Sequence, residues 1–388
     1  MNTYFVPHIS PKSTVVVGMS GGVDSSVTAA LLQEMGFSVI GLFMKNWEEQ
    51  DESGICTTQA DQEDVVRVCD TLKIPHYTVN FAEEYKKEVF DHFLRELKKG
   101  RTPNPDILCN REIKFKHLLN YALKLGASAL ATGHYAQNCL QNGNHLLLKG
   151  IDPGKDQTYF LYTLNQKILQ HVLFPVGSIP KTQVRQLAKQ FGLSTAEKKD
   201  STGICFIGER NFRSFLQNYL PYQSGNFELL SGKVVGQHHG VAYYTIGQRK
   251  GLGLGGEGDA WFVVDKDVAR NVVIVERGDQ HPALFADFLI AREATWVSGK
   301  RPLPLPFRCT AKIRYRQADV PCTIVSDENG HLQVHFDLPE RAITLEQSIV
   351  FYQGEECLGG AVIDARGASY FEQNKSLPKK VMKEDCVD

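Results

Sequence analysis

Three short stretches of this 388-residue chain gather residue types that can do chemistry. The first is Gly18-Met19-Ser20-Gly21-Gly22-Val23-Asp24-Ser25-Ser26, lying between a β-branched run and a helical one. Small residues let backbone N–H groups approach an anion closely. Ser20, Ser25 and Ser26 add hydroxyl donors, and a helix start adds partial positive charge. Phosphate binding is the chemistry this pattern serves. It is not a Walker A loop, because no Gly-Lys-Ser/Thr closes it. The second stretch is Arg101–Lys114, RTPNPDILCNREIK. Pro103, Asn104 and Pro105 make a rigid loop there, outside helix or strand. Cys109 follows at the expected start of a helix, with Arg111 and Lys114 near it, a setting that favours thiolate. The third stretch, Asp200–Arg210 (DSTGICFIGER), puts Cys205 behind a Ser-Thr-Gly turn, downstream of Lys198 and Lys199. A phosphate loop can activate an oxygen, and a cysteine can bring sulfur.

These stretches need a frame. Thr14–Gly18 reads as a buried parallel strand, Ser25–Met35 as a helix capped by Gly36, and Phe37–Met44 as a second strand. Asp61–Leu72 is helical, His76–Asn80 a strand, and Phe81–Lys99 a helix stopped at Gly100. Ile113–Leu125 is helical again, and Ala127–Thr132 is a short strand. Strands alternating with helices imply an α/β fold, a parallel sheet with helices on both faces. Ligands of such sheets lie at the carboxyl ends of strands. Met44 and Gly133 end two of them, so both are expected to line the ligand pocket. Ala136–Lys149 reads as a hairpin around Gln141–Asn144. Helical signals are expected from about Asp156 to Phe191.

Beyond about Asn211 the pattern changes to glycine and β-branched residues. Gly251–Gly256 (GLGLGG) precedes a strand-like Trp261–Val264, not a helix, so a dinucleotide fingerprint fails and a mobile glycine loop is expected. Arg301–Pro306 reads as stiff linker. After it, Phe307–Tyr315, Val320–Val325, Leu332–Phe336, Ser348–Tyr352 and Leu358–Ile363 alternate as short strands of a small barrel or sandwich, with a turn at Asp327–Gly330. Lys312–Arg316 (KIRYR) is read as a strand carrying Lys312, Arg314 and Arg316 on one face. The expected division is 1–211, 212–284 and 285–372, with a frayed tail at 373–388.

Composition narrows the field. The chain is 42% hydrophobic and 22% charged, which is globular. With 43 basic and 44 acidic residues it is no uniformly basic nucleic-acid binder. No apolar run approaches a membrane span and no signal peptide is visible, so a cytoplasmic protein without membrane association is expected. The nine cysteines include no C-x-x-C pair. Cys139, Cys309 and Cys322 read as small buried hydrophobes in strands.

The first loop resembles the S-G-G-x-D-S pyrophosphate loop of ATP pyrophosphatases, which cleave ATP between its α and β phosphates. The whole chain closely resembles the tRNA-specific 2-thiouridylases. The matching blocks include Thr102–Asn110 (T-P-N-P-D-x-x-C-N), Thr132–Tyr135 (T-G-H-Y) and Lys155–Gln157 (K-D-Q). They continue with Gly203–Arg210, Tyr244–Gly253 (Y-T-I-G-Q-R-K-G-L-G) and Ile313–Tyr315 (I-R-Y).

That resemblance implies a small central domain, a C-terminal β-barrel and a sulfurtransferase activity on the wobble uridine. It implies ATP at Gly18, Met19, Ser20, Gly21, Gly22, Val23, Asp24 and Ser25, with Met44 and Gly133, and Mg²⁺ beside the phosphates. Asn104, Pro105 and Asp106 would meet the target base, with Asp106 as proton acceptor. Cys109 would be the nucleophile and Cys205 the persulfide carrier. His134, Lys155, Asp156, Gln157, Arg314, Tyr315 and Gln347 would touch tRNA at its anticodon stem-loop. The implied partners are tRNA and a sulfur-donor protein, a cysteine desulfurase or a relay protein. Two other readings are open. One is an amidotransferase-like ligase of the argininosuccinate or GMP synthetase kind. The other is a non-catalytic RNA-binding protein.

Overall fold

The computed structural model describes residues 8–47, 57–200, 212–302 and 304–379. The first domain is built on β1 (Thr14–Met19), α1 (Val23–Glu34), β2 (Ser38–Lys45), α2 (Thr57–Leu72) and β3 (His76–Asn80). A long helix follows, α3 (Ala82–Tyr85), a π-helical turn Lys86–Phe90, and α4 (Asp91–Lys98). The next starts as α5 (Pro105–Leu108), runs through a π-helical stretch Cys109–Leu118 and ends as α6 (Leu119–Lys124). After it come β4 (Ala129–Ala131), the hairpin β5 (Ala136–Gln141) and β6 (Asn144–Lys149), α7 (Gln166–Leu169), β7 (Val172–Leu173) and α8 (Lys181–Gln190). The parallel sheet has the order β3-β2-β1-β4-β7. Residues of β1 alternate between its two faces. Val15, Val17 and Met19 join one core with α1, while Val16 joins the opposite core with Phe115 and Leu118.

The helical signal expected over 156–191 resolves into shorter pieces, because β7 interrupts it to pair with β4. Val172 and Leu173 are fully buried, and a two-residue edge strand leaves no periodicity to read.

A second sheet, with α9 (Phe212–Gln217) leading into it, contains β8 (Gly225–Glu228), β9 (Val234–His238), β10 (Trp261–Asp267) and β11 (Val272–Arg277) in the order β10-β11-β8-β9. The third unit contains β12 (Phe285–Trp296), β13 (Phe307–Lys312), β14 (Val320–Glu328), β15 (His331–Arg341), β16 (Ser348–Gln353) and β17 (Glu356–Arg366). The pairing of β12 with β17 closes these six into a barrel. The hairpin of the first domain extends it, since β6 pairs with β17 through Leu148 and Glu356. Asn142 and Gly143 turn that hairpin with φ of 52° and 77°, the left-handed pair an Asn-Gly turn supplies.

Four further expectations need correction. The barrel's strands do not begin after Arg301–Pro306: that stretch falls between β12 and β13 in the chain, and β12, unrecognised in the sequence, is the first strand. KIRYR is not one strand: β13 ends at Lys312, and Arg316 takes a left-handed φ of 68°. Cys139 is exposed on the hairpin, unlike Cys309 and Cys322. The tail is not uniformly frayed, since Leu377 is buried with Phe262, Leu284 and Phe285.

Candidate nucleotide site and its neighbouring loops

The nucleotide loop leaves β1 at the point where the sheet order turns, with β2 on one side and β4 on the other. Helix α1 begins at Val23 with no side-chain cap: its cap residue is Gly22. An uncapped start leaves backbone N–H groups for an anion. The hydroxyls brace the loop. Ser20 N donates to Ser25 Oγ (3.2 Å), while Ser25 Oγ and Ser26 Oγ donate to Gly22 O (3.1 and 2.8 Å). Gly21 has φ of 75°, and a Cβ there would fall 2.6 Å from Asp61 O. A Cβ on Gly133 would fall 2.7 Å from Ser25 N, so the end of β4 presses directly on the start of α1. Met44 is the penultimate residue of β2, half-buried between two cores.

Two lysines grip this loop, and neither is evident in the loop's own sequence. Lys181, the first residue of α8, places Nζ 2.7 and 2.8 Å from the Asp24 carboxylate oxygens and 2.9 Å from Asp200 Oδ1. Tyr135 OH donates to Asp24 Oδ1 at 2.6 Å. Burial and then the Asp24 charge push the Tyr135 phenol up, so it stays a donor. On the other side Lys198 Nζ donates to Gly21 O (3.1 Å), Asp61 Oδ1 and Asp64 Oδ2 (both 2.7 Å). Burial works against the Lys198 charge, but the two carboxylates outweigh it and raise its pKa. Asp200 also accepts from Lys155 Nζ and Arg185 Nη2, both at 2.7 Å. Burial opposes its ionisation, yet bonds from Lys155 and Lys181 hold its carboxyl down to about 2. Lys181 gives no sequence signal, whereas Tyr135 and Asp200 sit within motif blocks already noted.

The proline loop differs from its expectation. Pro105 starts the helix instead of preceding it, as proline at a first helical position can. Asn104 Oδ1 caps it, accepting from Asp106 N (3.1 Å) and Ile107 N (3.4 Å). Cys109 therefore lies one turn inside the helix, fully buried beside a cluster containing Tyr85, Val89, Phe90 and Ile113, not at an exposed helix start. The same helix reaches the nucleotide loop: Leu118 lies 3.4 Å from a Cβ built on Gly18. Cys205, with the Gly203 and Gly208 around it, lies outside the described residues.

The residues expected to meet RNA fall into two groups. Lys155 and Tyr315 keep part of their surface open, and the Tyr315 ring packs on Phe160 with centroids 4.4 Å apart. The others bond within the chain. His134 is buried, bonded through Nδ1 to Thr132 Oγ1 (2.8 Å); burial and the Lys114 charge push its pKa well down, so the ring is neutral. Asp156 is buried and accepts from Gly150 N and Thr158 N. Gln157 Oε1 accepts from Tyr135 N at 2.9 Å. Arg314 is turned inward, not aligned with Lys312 and Arg316. Its Nη2 donates to Ile246 O (3.0 Å), Ala342 O (2.7 Å) and Thr344 Oγ1 (3.2 Å).

A parallel sheet with an uncapped, serine-braced loop after its first strand defines a nucleotide-binding α/β domain of the pyrophosphate-loop type, here carrying two β units. Family models match all three parts: a "tRNA methyl transferase HUP domain" over residues 13–209, a "tRNA methyl transferase PRC-barrel domain" over 213–277, and an "Aminomethyltransferase beta-barrel domain" over 286–363. The chain is 61% identical over 375 residues to the tRNA-specific 2-thiouridylase MnmA of Protochlamydia amoebophila, covering 96% of this chain and 99% of that one. It is 56% identical over 358 residues to MnmA 2 of Geobacillus kaustophilus, covering 92% and 95%, and equally identical to MnmA of Alkaliphilus oremlandii, covering 92% and 98%. The chain belongs to the tRNA-specific 2-thiouridylase family.

Proposed function

We propose that this chain uses ATP to place sulfur on carbon 2 of a tRNA wobble uridine. The observation that supports it best is the double tie between the nucleotide loop and residues 198–200, through Lys198 to Gly21 and Lys181 to Asp24 and Asp200. Five residues further along the chain stands Cys205. Short, charged contacts thus tie the phosphate loop to the segment that leads, in sequence, to Cys205.

In this reading ATP lies with its phosphates on Ser20–Ser25 and its adenosine toward Met44 and Gly133. Among the described residues no group of three His, Cys, Asp or Glu could hold a metal alone. Mg²⁺ would enter on the nucleotide's phosphates, where it would lower their charge. The wobble uridine leaves the anticodon stack and meets Asn104, Pro105 and Asp106. Oxygen 2 attacks the α-phosphate, pyrophosphate leaves with its electron pair, and Asp106 accepts the base proton. Sulfur carried as a Cys205 persulfide reaches carbon 2 and AMP departs. Cys109 attacks Cys205 Sγ, either in the adduct or to free hydrosulfide beforehand. The resulting Cys109–Cys205 disulfide needs an external thiol to reset it. A sulfur-donor protein charges Cys205, and Lys155, Tyr315 and neighbours guide the anticodon stem-loop.

No helix among the described residues is long and apolar enough to cross a membrane, and the compartment proposed is the cytoplasm. The deciding experiment is nucleoside mass spectrometry of tRNA incubated with protein, ATP, Mg²⁺ and sulfide. It should detect 2-thiouridine together with AMP. ADP in place of AMP would overturn the reading. An amidotransferase-like ligase would instead survive loss of both Cys109 and Cys205.

A further inference from the structure

The nucleotide loop contains no cation: Gly18 to Ser26 carries one charged side chain, and it is the carboxylate of Asp24. Breaking ATP between its α and β phosphates leaves negative charge on the pyrophosphate, and a site of this kind needs a positive group aimed where that charge develops. Donors at a helix start supply only partial charge. Two full charges reach the loop from elsewhere in the chain: Lys198, bonded to the Gly21 carbonyl, and Lys181, 157 residues along the chain from Asp24. Lys181 Nζ is bonded to both oxygens of Asp24, the second residue of α1.

Three features hold Lys181 there. Its backbone N–H donates to Asp152 Oδ2 at 3.0 Å. Its ammonium sits over the Tyr135 ring, 5.5 Å from the centroid. The residue is 9% exposed, so the charge is not a solvated surface lysine. Tyr135 reaches the same Asp24 oxygen from the other side, and Asp200 has Lys155 and Arg185 as further partners. Both carboxylates would therefore keep a donor if the Lys181 ammonium swung a few ångströms toward the loop.

We infer that Lys181 is the pyrophosphate-binding cation of this site, stored on Asp24 and transferred to the β-phosphate oxygen as the α–β bond breaks. The inference rests on the reading of Ser20–Ser25 as an ATP site. The step balances simply. A bond forms from the attacking oxygen to the α-phosphorus, the bridging oxygen leaves with its electron pair on pyrophosphate, and Lys181 supplies a hydrogen bond without giving up its proton.

The alternative is a positioning role, with Lys181 only orienting Asp24. The two differ in product inhibition. Pyrophosphate and AMP are titrated as inhibitors of wild-type protein and of Lys181→Met, Lys181→Arg and Asp24→Asn. The inference expects Lys181→Met to weaken pyrophosphate inhibition at least tenfold while AMP inhibition changes less than threefold. Lys181→Arg should recover most of the loss. Asp24→Asn frees the ammonium and should leave pyrophosphate inhibition equal or stronger. Equal pyrophosphate inhibition of wild type and Lys181→Met overturns the inference, as does a loss in Asp24→Asn matching that of Lys181→Met. Should Lys181→Met fail to fold, Lys181→Arg and Asp24→Asn still decide through the same inhibition constants. A wild-type protein that binds neither AMP nor pyrophosphate would instead remove the ATP reading beneath it.

Discussion

Gln347 Nε2 donates to the carbonyl oxygen of Thr102 at 2.7 Å, so the barrel holds the chain two residues before Asn104. Thr102 N donates to Leu345 O at 3.1 Å, and its hydroxyl meets Thr245 Oγ1 at 3.3 Å. Arg101 bridges Glu96 of the first domain (3.2 Å) and Glu346 of the barrel (3.1 Å). Burial opposes ionisation of Glu96, but Lys99 and Arg101 outweigh it and keep its pKa low. All three units thus converge on the loop that starts the Pro105 helix.

The clamp gives the first prediction. Gln347→Ala should raise the KM for tRNA about threefold to tenfold and lower kcat by less, because the loop loses orientation but no reacting group. The KM for ATP should not move. Steady-state kinetics with each substrate varied in turn check this. A rise in the ATP KM of equal size would show that the clamp acts on the whole domain.

Arg314 carries the second. Facing inward it ties Ile246, between β9 and β10, to Ala342 of the barrel. Burial and the nearby Arg341 charge both work against its own. Arg314→Ala should lower unfolding stability by about 1.5–3 kcal/mol, the range for hydrogen bonds involving a charged group. The salt slope of tRNA binding should stay unchanged, because the Arg314 guanidinium is taken up by bonds within the chain. Denaturant titration and affinities at several salt concentrations test the two halves separately. A slope smaller by about one ion would restore Arg314 to the RNA surface.

The sequence made some of this legible and not the rest, for physical reasons. Ser20–Ser26 could be read because phosphate binding needs small residues and hydroxyls in consecutive order. The parallel strands were readable because Val15, Val16 and Val17 are buried on both faces. Lys181 was not, because its partner Asp24 is set by tertiary packing of α8 on α1 and no local spacing encodes it. Arg314 and Gln347 were placed near RNA by family resemblance, yet their polar atoms bond to backbone across domain boundaries. Alternation along Lys312–Arg316 misled because the strand ends at Lys312. Pro105 was read as a helix breaker when its missing N–H suits the first helical turn.

The cysteines give a third prediction. Cys109→Ser and Cys205→Ser should each abolish thiolation from a persulfide donor, while AMP formation falls less than threefold. Cys139→Ser should keep full activity: Cys139 is exposed on the hairpin, on an edge strand that contributes no reacting group. Mass spectrometry after brief alkylation of native protein should find Cys139 modified well before Cys69, Cys309, Cys322 or Cys357, which are buried. Persulfide labelling lost only in Cys205→Ser would assign the carrier. Wild-type thiolation in both Cys109→Ser and Cys205→Ser would remove the sulfur mechanism and leave the nucleotide site standing.

The last prediction concerns Lys266, on β10. Its ammonium donates to Tyr244 O at 2.8 Å, and among the described residues it has no ion pair. Its stem is partly exposed, but its charged end points into the protein. Burial lowers its pKa to about 8, with Asp265 offsetting only part of the effect. An unfolded lysine titrates near 10.4. Between these values the unfolded chain holds more protons than the folded one, so stability must rise with pH across that window. Below pH 8 folding carries the full cost of the buried charge. Lys266→Met lacks this titration. The stability of wild type relative to Lys266→Met should therefore climb between pH 7 and about 10.5, by up to about 3 kcal/mol at 1.36 kcal/mol per unit. Comparing the two proteins cancels the tyrosines and other lysines that titrate in the same range. Urea unfolding at half-unit steps of pH makes the measurement. A difference that stays flat across the window would mean that the Lys266 ammonium remains hydrated in the folded protein.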